Sequence, residues 1–188
     1  MVAHPQVGPL WTVEHYLALE RYSPIRHEYH QGYVYAMAGG TQTHSQIALN
    51  VAALLRAGAR GSGCRAFNPD IKIRQSSDDY VYADAVITCD PRDQVPAQDW
   101  IDFPVLVVEV LSPSTERHDR GDKFEGYKAI STFQEYVLVE QRRRTVDVWL
   151  RDADGNWSVT LYGPGQDIVP ASVNLVLPIA AVYEDSGL

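Results

Sequence analysis

The run PVLVVEVL at positions 104–111 constrains this chain most: it is apolar on both alternating faces except for one glutamate, Glu109. A strand apolar on both sides belongs in the middle of a sheet that other elements cover above and below. Counting by two, Glu109 shares a strand face with Val105, Val107 and Leu111. An ionised carboxylate in that setting is costly to bury unless a cation or several donors compensate it. Asp84 raises the same difficulty one strand earlier, inside YVYADAVIT. If the two strands pair, the two carboxylates lie near each other, and like charges at close range raise at least one pKa. A shared divalent cation relieves both, and hard oxygen donors favour Mg²⁺, with Mn²⁺ as the alternative. The competing account gives each carboxylate its own arginine or backbone N–H donors, and for either residue alone that is the ordinary expectation.

The rest of the pattern supplies a frame for that strand. Thr12 is a suitable N-cap for a helix running to about residue 21, with Trp11 and Tyr16 spaced as a hydrophobic staple. Residues 27–37 read as a β-hairpin turning at Gln31-Gly32. A second helix follows Gly39-Gly40, with Thr43 to Gln46 in a capping-box pattern. Its apolar stripe is Ile47, Val51, Leu54 and Leu55. Strands are expected over 65–75, 81–88 and 104–111, then a polar loop, a helix over 121–131 and a buried strand over 135–140. Residues 145–151 and 157–162 alternate around a turn at 152–156 and form a second hairpin. Residues 1–9 are expected to be a flexible N-terminus and 10–188 a single α/β (α+β) domain.

The composition is that of a water-soluble domain: 45% hydrophobic and 21% charged residues, with no apolar run of membrane-spanning length. The first residues lack the basic and apolar regions of a signal peptide, so a cytoplasmic location is expected. Cys64 and Cys89 are expected to be buried free thiols in a reducing compartment. The net charge of −8 argues against avid binding to a polyanion, since sequence-independent DNA affinity comes from Lys and Arg at phosphates. A cation bound in an acidic cleft would reverse the sign locally.

Asp84, then EVLSPST from Glu109 to Thr115, then DRGDK from Asp119 to Lys123, then Tyr127, form an ordered set. Together with YHQGYVYAMAGGTQTHSQIALN from Tyr29 and the EYVLV strand near Val137, this set resembles the PD-(D/E)XK nuclease superfamily. More narrowly, it resembles the Uma-type family of restriction endonucleases. The resemblance covers nearly the whole chain. It implies a restriction-endonuclease-like αβββαβ core with a central mixed sheet, in which Asp84 and Glu109 bind Mg²⁺ with the backbone carbonyl of Val110. Two positions depart from the superfamily pattern. Ala83 stands where a proline usually precedes the aspartate, and Leu111 stands where the lysine is expected. The resemblance moves that lysine onto the following helix as Lys123, with Tyr127 one turn further along the same face. Without the resemblance, Lys123 would be an ordinary solvated helix residue.

Glu28 matches an acidic position of the family, and a solvated strand acid is an equally good account of it. His44 opens the second helix near the expected cleft, and a plain helix-start histidine is the simpler reading. Asp70 competes with Asp84 for the ligand role but follows Pro69 as a turn residue does. Lys72, Arg117 and Arg120 are candidate phosphate contacts, whereas Arg142-Arg143-Arg144 reads as a solvated turn. The reading is therefore a Mg²⁺-dependent endonuclease acting on phosphodiester bonds, expected to be DNA, and plausibly a homodimer. The alternative is a catalytically silent nuclease-fold module that binds nucleic acid or a protein partner. A serine hydrolase built on Ser112 or Ser114 is a poor reading, since there is no G-x-S-x-G elbow and Ser112 to Thr115 reads as a loop and helix-cap segment.

Overall fold

The computed structural model describes residues 10–188; the expectation for residues 1–9 lies outside the described residues. Helix α1 (Val13–Tyr22) starts where expected, because the Thr12 hydroxyl accepts from the His15 N–H. The staple does not form as read: Trp11 is 42% exposed, and Tyr16 is buried by stacking on Tyr29 with ring centroids 5.0 Å apart. Strands β1 (His27–His30) and β2 (Tyr33–Ala36) close at Gln31 and Gly32, both at positive φ, which gives the turn twist a two-residue hairpin needs. Helix α2 (Gln42–Ala59) is capped by Thr41 rather than Thr43: the Thr41 hydroxyl accepts from the His44 N–H at 3.1 Å. Ile47, Val51 and Leu55 form its buried stripe, and Leu54 is partly buried beside it.

The two long strands expected after α2 are each cut in half. The first becomes β3 (Arg65–Phe67) and β4 (Lys72–Ser76), interrupted at Asn68-Pro69-Asp70, where proline has no N–H to give to a ladder. The second becomes β5 (Asp79–Tyr82) and β6 (Ala85–Thr88), interrupted at Ala83-Asp84. At this break the Asp84 carboxylate accepts the Val110 N–H at 2.7 Å. After β7 (Trp100–Ile101), strand β8 (Pro104–Leu111) has the expected ends and is buried at all eight positions. The helix expected over 121–131 is two short ones, α3 (Glu116–Arg120) and α4 (Asp122–Lys128), so part of the polar loop is helical. Strands β9 (Glu135–Glu140), β10 (Val146–Arg151) and β11 (Trp157–Tyr162) follow as read. Strands β12 (Asp167–Ile168) and β13 (Leu177–Pro178) and helix α5 (Ile179–Val182) end the chain.

The strands form two main sheets. One has the order β2-β1-β5-β4-β7; the other has the order β11-β10-β9-β8-β6-β3, with β8 and β9 parallel and its other neighbours antiparallel. The mixed central sheet with β8 inside it agrees with the fold class read from the sequence. Helix α2 packs its stripe against Val108, Val110 and Val139 on one face of that sheet. On the other face Phe124 and Tyr127 of α4 meet Val107, Leu111, Tyr136 and Leu138. The two halves of each divided strand belong to different sheets, so Tyr82-Ala83-Asp84 is the crossing between them.

The cysteines correct the sequence reading. Cys64 and Cys89 are joined in a disulfide, and neither is a buried free thiol. They flank the paired residues Arg65 and Thr88 at the end of the β3–β6 ladder, which brings their Cα atoms to 4.0 Å. The argument for a reducing compartment therefore loses its basis. No helix among the described residues is long and apolar enough to cross a membrane.

Candidate metal centre

The break at Ala83-Asp84 brings Asp84 alongside the strand that carries Glu109. The β6–β8 ladder ends at the Ala85–Val108 pair, and beyond it Asp84 turns its carboxylate to the Val110 N–H, next in the chain to Glu109. Oδ2 of Asp84 takes the Val110 N–H, and Oδ1 lies 3.1 Å from His44 Nε2. Glu109 points to the opposite face of the sheet, towards α4. Its Oε1 lies 2.9 Å from Lys123 Nζ and accepts from the Tyr127 hydroxyl at 3.1 Å; both contacts fall on Oε1.

Lys123 is only 5% exposed and lies among the acids, not the solvated helix residue it would have been taken for without the resemblance. Its ammonium donates to the Tyr82 carbonyl at 2.6 Å and lies 3.3 Å from Glu28 and 3.6 Å from Asp119. Glu28 is thus part of the cluster and not a free strand acid: its Oε1 also accepts the Tyr82 N–H, which ties β1 to the crossing between the sheets. Asp119 was not singled out from the sequence. Its signal was present, since it precedes Lys123 by four residues, a spacing that puts both on one helical face. The short break between α3 and α4 preserves that contact.

The electrostatics follow from burial. Glu109 is pushed well above the ordinary carboxylate range by desolvation; Lys123 opposes this, while Asp119 and Asp84 add to it. Asp119 is raised by desolvation as well. For Lys123, burial alone would lower the pKa, but Glu109, Glu28 and Asp119 outweigh it and hold the ammonium protonated. Burial and the neighbouring Glu109 push the Tyr127 hydroxyl up. His44 is raised, chiefly by its hydrogen bond to Asp84 and with a contribution from the Val110 backbone. Lys123 is therefore a fixed positive charge and not a base near neutral pH.

The oxygen donors are of the kind a divalent cation takes, but their spacing is not that of a formed metal site. Four carboxylates, those of Glu28, Asp84, Glu109 and Asp119, lie around one lysine and two histidines: Lys123 meets Glu28, Glu109 and Asp119, His118 meets Glu28 and His44 meets Asp84. Carboxylate and carbonyl oxygens are the ligands hard cations prefer. Among the described residues, no three His, Cys, Asp or Glu side chains converge tightly enough to hold an ion as they stand, and Lys123 occupies the space between the acids.

The other sequence candidates make contacts of their own. Asp70 is an exposed turn residue paired with Arg26. Lys72 is buried against Asp99 and is thereby removed as a phosphate contact. Arg120 is engaged with Glu116 and Asp147, and Arg142 with Glu116 and Glu140. Arg117 and Arg143 are exposed. Ser112 bonds to Ser114 and Thr115 in a loop, with no base beside it.

A family model described as "Putative restriction endonuclease", Uma2, matches residues 13–180. The chain belongs to the Uma2 family. Within the curated proteins, the uncharacterized protein slr1290 of Synechocystis is 36% identical over 186 residues, 97% of each chain. A second uncharacterized Synechocystis protein, sll1609, is 29% identical over 160 residues, covering 84% of this chain and 90% of its own. Among solved structures, one described as a putative nuclease belonging to DUF820 from Anabaena variabilis superposes with a TM-score of 0.74. That likeness covers 92% of this chain and 97% of the other at 17% identity, and it shows the shared fold. Family and fold together agree with the restriction-endonuclease-like reading and support a nuclease.

Proposed function

We propose that this protein is a metal-dependent endonuclease that hydrolyses phosphodiester bonds in DNA, with Asp84, Glu109 and the Val110 carbonyl holding Mg²⁺ or Mn²⁺. The observation that supports this reading is the Asp84 carboxylate bound to the N–H of Val110, next to Glu109, with Asp84 and Asp119 both raising the buried Glu109 carboxyl. When bound, the cation would supply Lewis-acid polarisation of a phosphoryl oxygen and neutralise charge in the transition state. The chain's own residues set the rest. The Val110 N–H fixes one oxygen of Asp84, and the other lies against His44. Tyr127 and Lys123 fix Glu109 from the α4 side. Lys123 stays protonated and steadies the acids or the developing negative charge, and so is not the group that removes a proton from water. Glu28, linked to both Lys123 and the Tyr82 backbone, holds the ammonium in place.

DNA as substrate, suggested by the description of the family model, and a homodimer that presents one such site to each strand of a duplex are parts of the same proposal. The surplus of acidic residues favours transient over avid binding.

Supercoiled plasmid incubated with Mg²⁺, Mn²⁺ or EDTA tests it. Cleavage should need the metal and fall at least about 100-fold in Asp84→Asn and Glu109→Gln, the order of loss expected when an electrostatic catalytic group is removed. Cleavage that persists in EDTA, or in either variant, would refute the site.

A second reading keeps the fold and drops the chemistry: Lys123 already compensates Glu109, so a silent binding module needs no metal. A protein that binds DNA or a partner, shows no metal-induced rise in melting temperature and never cuts would be that module.

A further inference from the structure

Resting on the nuclease reading above, we propose that Tyr33, Tyr35 and Met37 form a ledge that stacks unpaired bases, so that the strand reaching the acids is out of its duplex there. The register of the first hairpin places the ledge. Across β1 and β2, Tyr35 pairs with Glu28 and Tyr33 with His30. Such partners share a face of the sheet, with Cβ atoms about 5 Å apart. Met37 extends the row, since its N–H donates to the Arg26 carbonyl. Glu28 is the acid that meets Lys123, so Tyr35 stands at the border of the carboxylate cluster. From α3, His118 approaches the same acid: its Nε2 lies 3.7 Å from Glu28 Oε2, and the ring is exposed. A phenol ring and an imidazole ring therefore flank Glu28.

Packing does not account for these side chains. The other face of the hairpin carries Tyr29 and Val34, which pack with Tyr16 and Tyr80 and fasten the hairpin to α1. The face turned away from that cluster is open: Tyr33 is 40% and Met37 37% exposed, and Tyr35 is half-buried. A strand with one face in the core ordinarily turns polar residues outward, and here two tyrosines and a methionine stand in a row. Strand β2 is an edge strand of four residues, so it offers little backbone for a further strand to join. What it presents is its side chains.

Charge then selects the occupant. Duplex binding draws its affinity from Lys and Arg at phosphates, and this chain carries a net charge of −8. The cations near the ledge are already engaged, Arg26 with Asp70 and Lys123 with the acids. Stacking on an aromatic ring needs no positive charge and accepts any base, because every base has a π-face. A duplex keeps those faces stacked on each other, so the ledge favours a strand whose bases are splayed out.

Fluorescence anisotropy of the full-length protein in EDTA, which holds off cleavage, tests this with three labelled probes of about 12 nucleotides. They are oligo(dT), an abasic strand of the same length and charge, and a duplex. Stacking predicts that oligo(dT) binds at least about tenfold more tightly than either of the others, and that its affinity falls only shallowly with salt. Tyr35→Ala should weaken oligo(dT) about tenfold, Tyr35→Phe should retain it, and neither should change binding of the abasic strand. Oligo(dT) held no more tightly than the abasic strand or the duplex would overturn the ledge and leave the nuclease reading standing. Failure of all three probes to bind would overturn both. Self-association seen by sedimentation and lost in Tyr35→Ala would put a second copy of the chain on this face, and would overturn the ledge as well. The comparison of probes on the wild-type protein decides the matter, should Tyr35→Ala fold poorly.

Discussion

Replacing Lys123 with methionine keeps most of the stem and removes the charge, and this isolates what the ammonium does. The structure sets its carboxylate distances at 2.9 Å to Glu109, 3.3 Å to Glu28 and 3.6 Å to Asp119. At an effective dielectric of about 20, each such attraction is worth on the order of 5 kcal/mol before desolvation. Burying the ammonium and crowding the acids together offset most of that sum. What remains when one partner of a buried ion cluster is removed is about 3–5 kcal/mol. For a domain of this size a loss of 1 kcal/mol lowers the melting temperature by about 2–4 °C, so Lys123→Met should melt roughly 6–20 °C lower in EDTA. The sign of the pH dependence follows from the raised carboxylates. Glu109 and Asp119 already titrate above their ordinary values, and loss of the lysine raises them further. Stability they contribute is complete below the unfolded carboxylate pKa and is lost as pH rises through the folded pKa. The deficit of Lys123→Met should therefore be larger at pH 8 than at pH 5, as followed by circular dichroism melts at both. A deficit under about 1 kcal/mol with no pH trend is what an exposed ion pair gives, and it would refute the buried-cation argument.

Glu109→Gln removes a buried charge that is costly without metal, so in EDTA its melting temperature should gain on wild type as pH rises from 5 to 8, and excess Mg²⁺ should erase that gain; a pH-independent difference would count against it. Gln75 donates its side-chain amide to the Lys123 carbonyl at 2.7 Å, and a Cβ at Gly126 would come 2.2 Å from Gln75 Oε1. Gly126→Ala should displace Gln75 and cost that hydrogen bond, about 1 kcal/mol, and denaturant melts should show it non-additive with Gln75→Ala. Reducing the Cys64–Cys89 bridge, which closes 25 residues, should destabilise the fold by about 3 kcal/mol in denaturant melts without changing the metal dependence of cleavage. Leu55→Ala, wholly within the α2 core, should cost about 2–5 kcal/mol in the same melts and leave Mn²⁺ affinity intact.

The parts of the fold that could be read in the sequence are those whose signals are local. The double-sided apolar run of β8, the Thr12 cap and the Gln31-Gly32 turn each carry their reason within a few residues, and each formed where expected. The strand breaks at Pro69 and Asp84 were not read. The first gives way to proline chemistry that a long alternating pattern masks; at the second a carboxylate takes an N–H from a strand distant in sequence. The second break is also what opens the site. Glu109 stood out because an acid among valines needs an explanation, whereas Lys123 and Asp119 look like any helix charges until β8 and α4 are packed together. His44 reads as a helix-start residue because its partner Asp84 lies 40 positions away. The disulfide was missed for the same reason: only the β3–β6 register makes Cys64 and Cys89 neighbours.

Crystals grown with Mn²⁺ and examined by anomalous scattering would decide whether a cation is what makes these acids tolerable. The account requires a peak within about 2.5 Å of oxygens from Asp84, Glu109 and the Val110 carbonyl. A cleft that stays without a peak at saturating Mn²⁺, with Lys123 still seated between Glu28, Glu109 and Asp119, would contradict it.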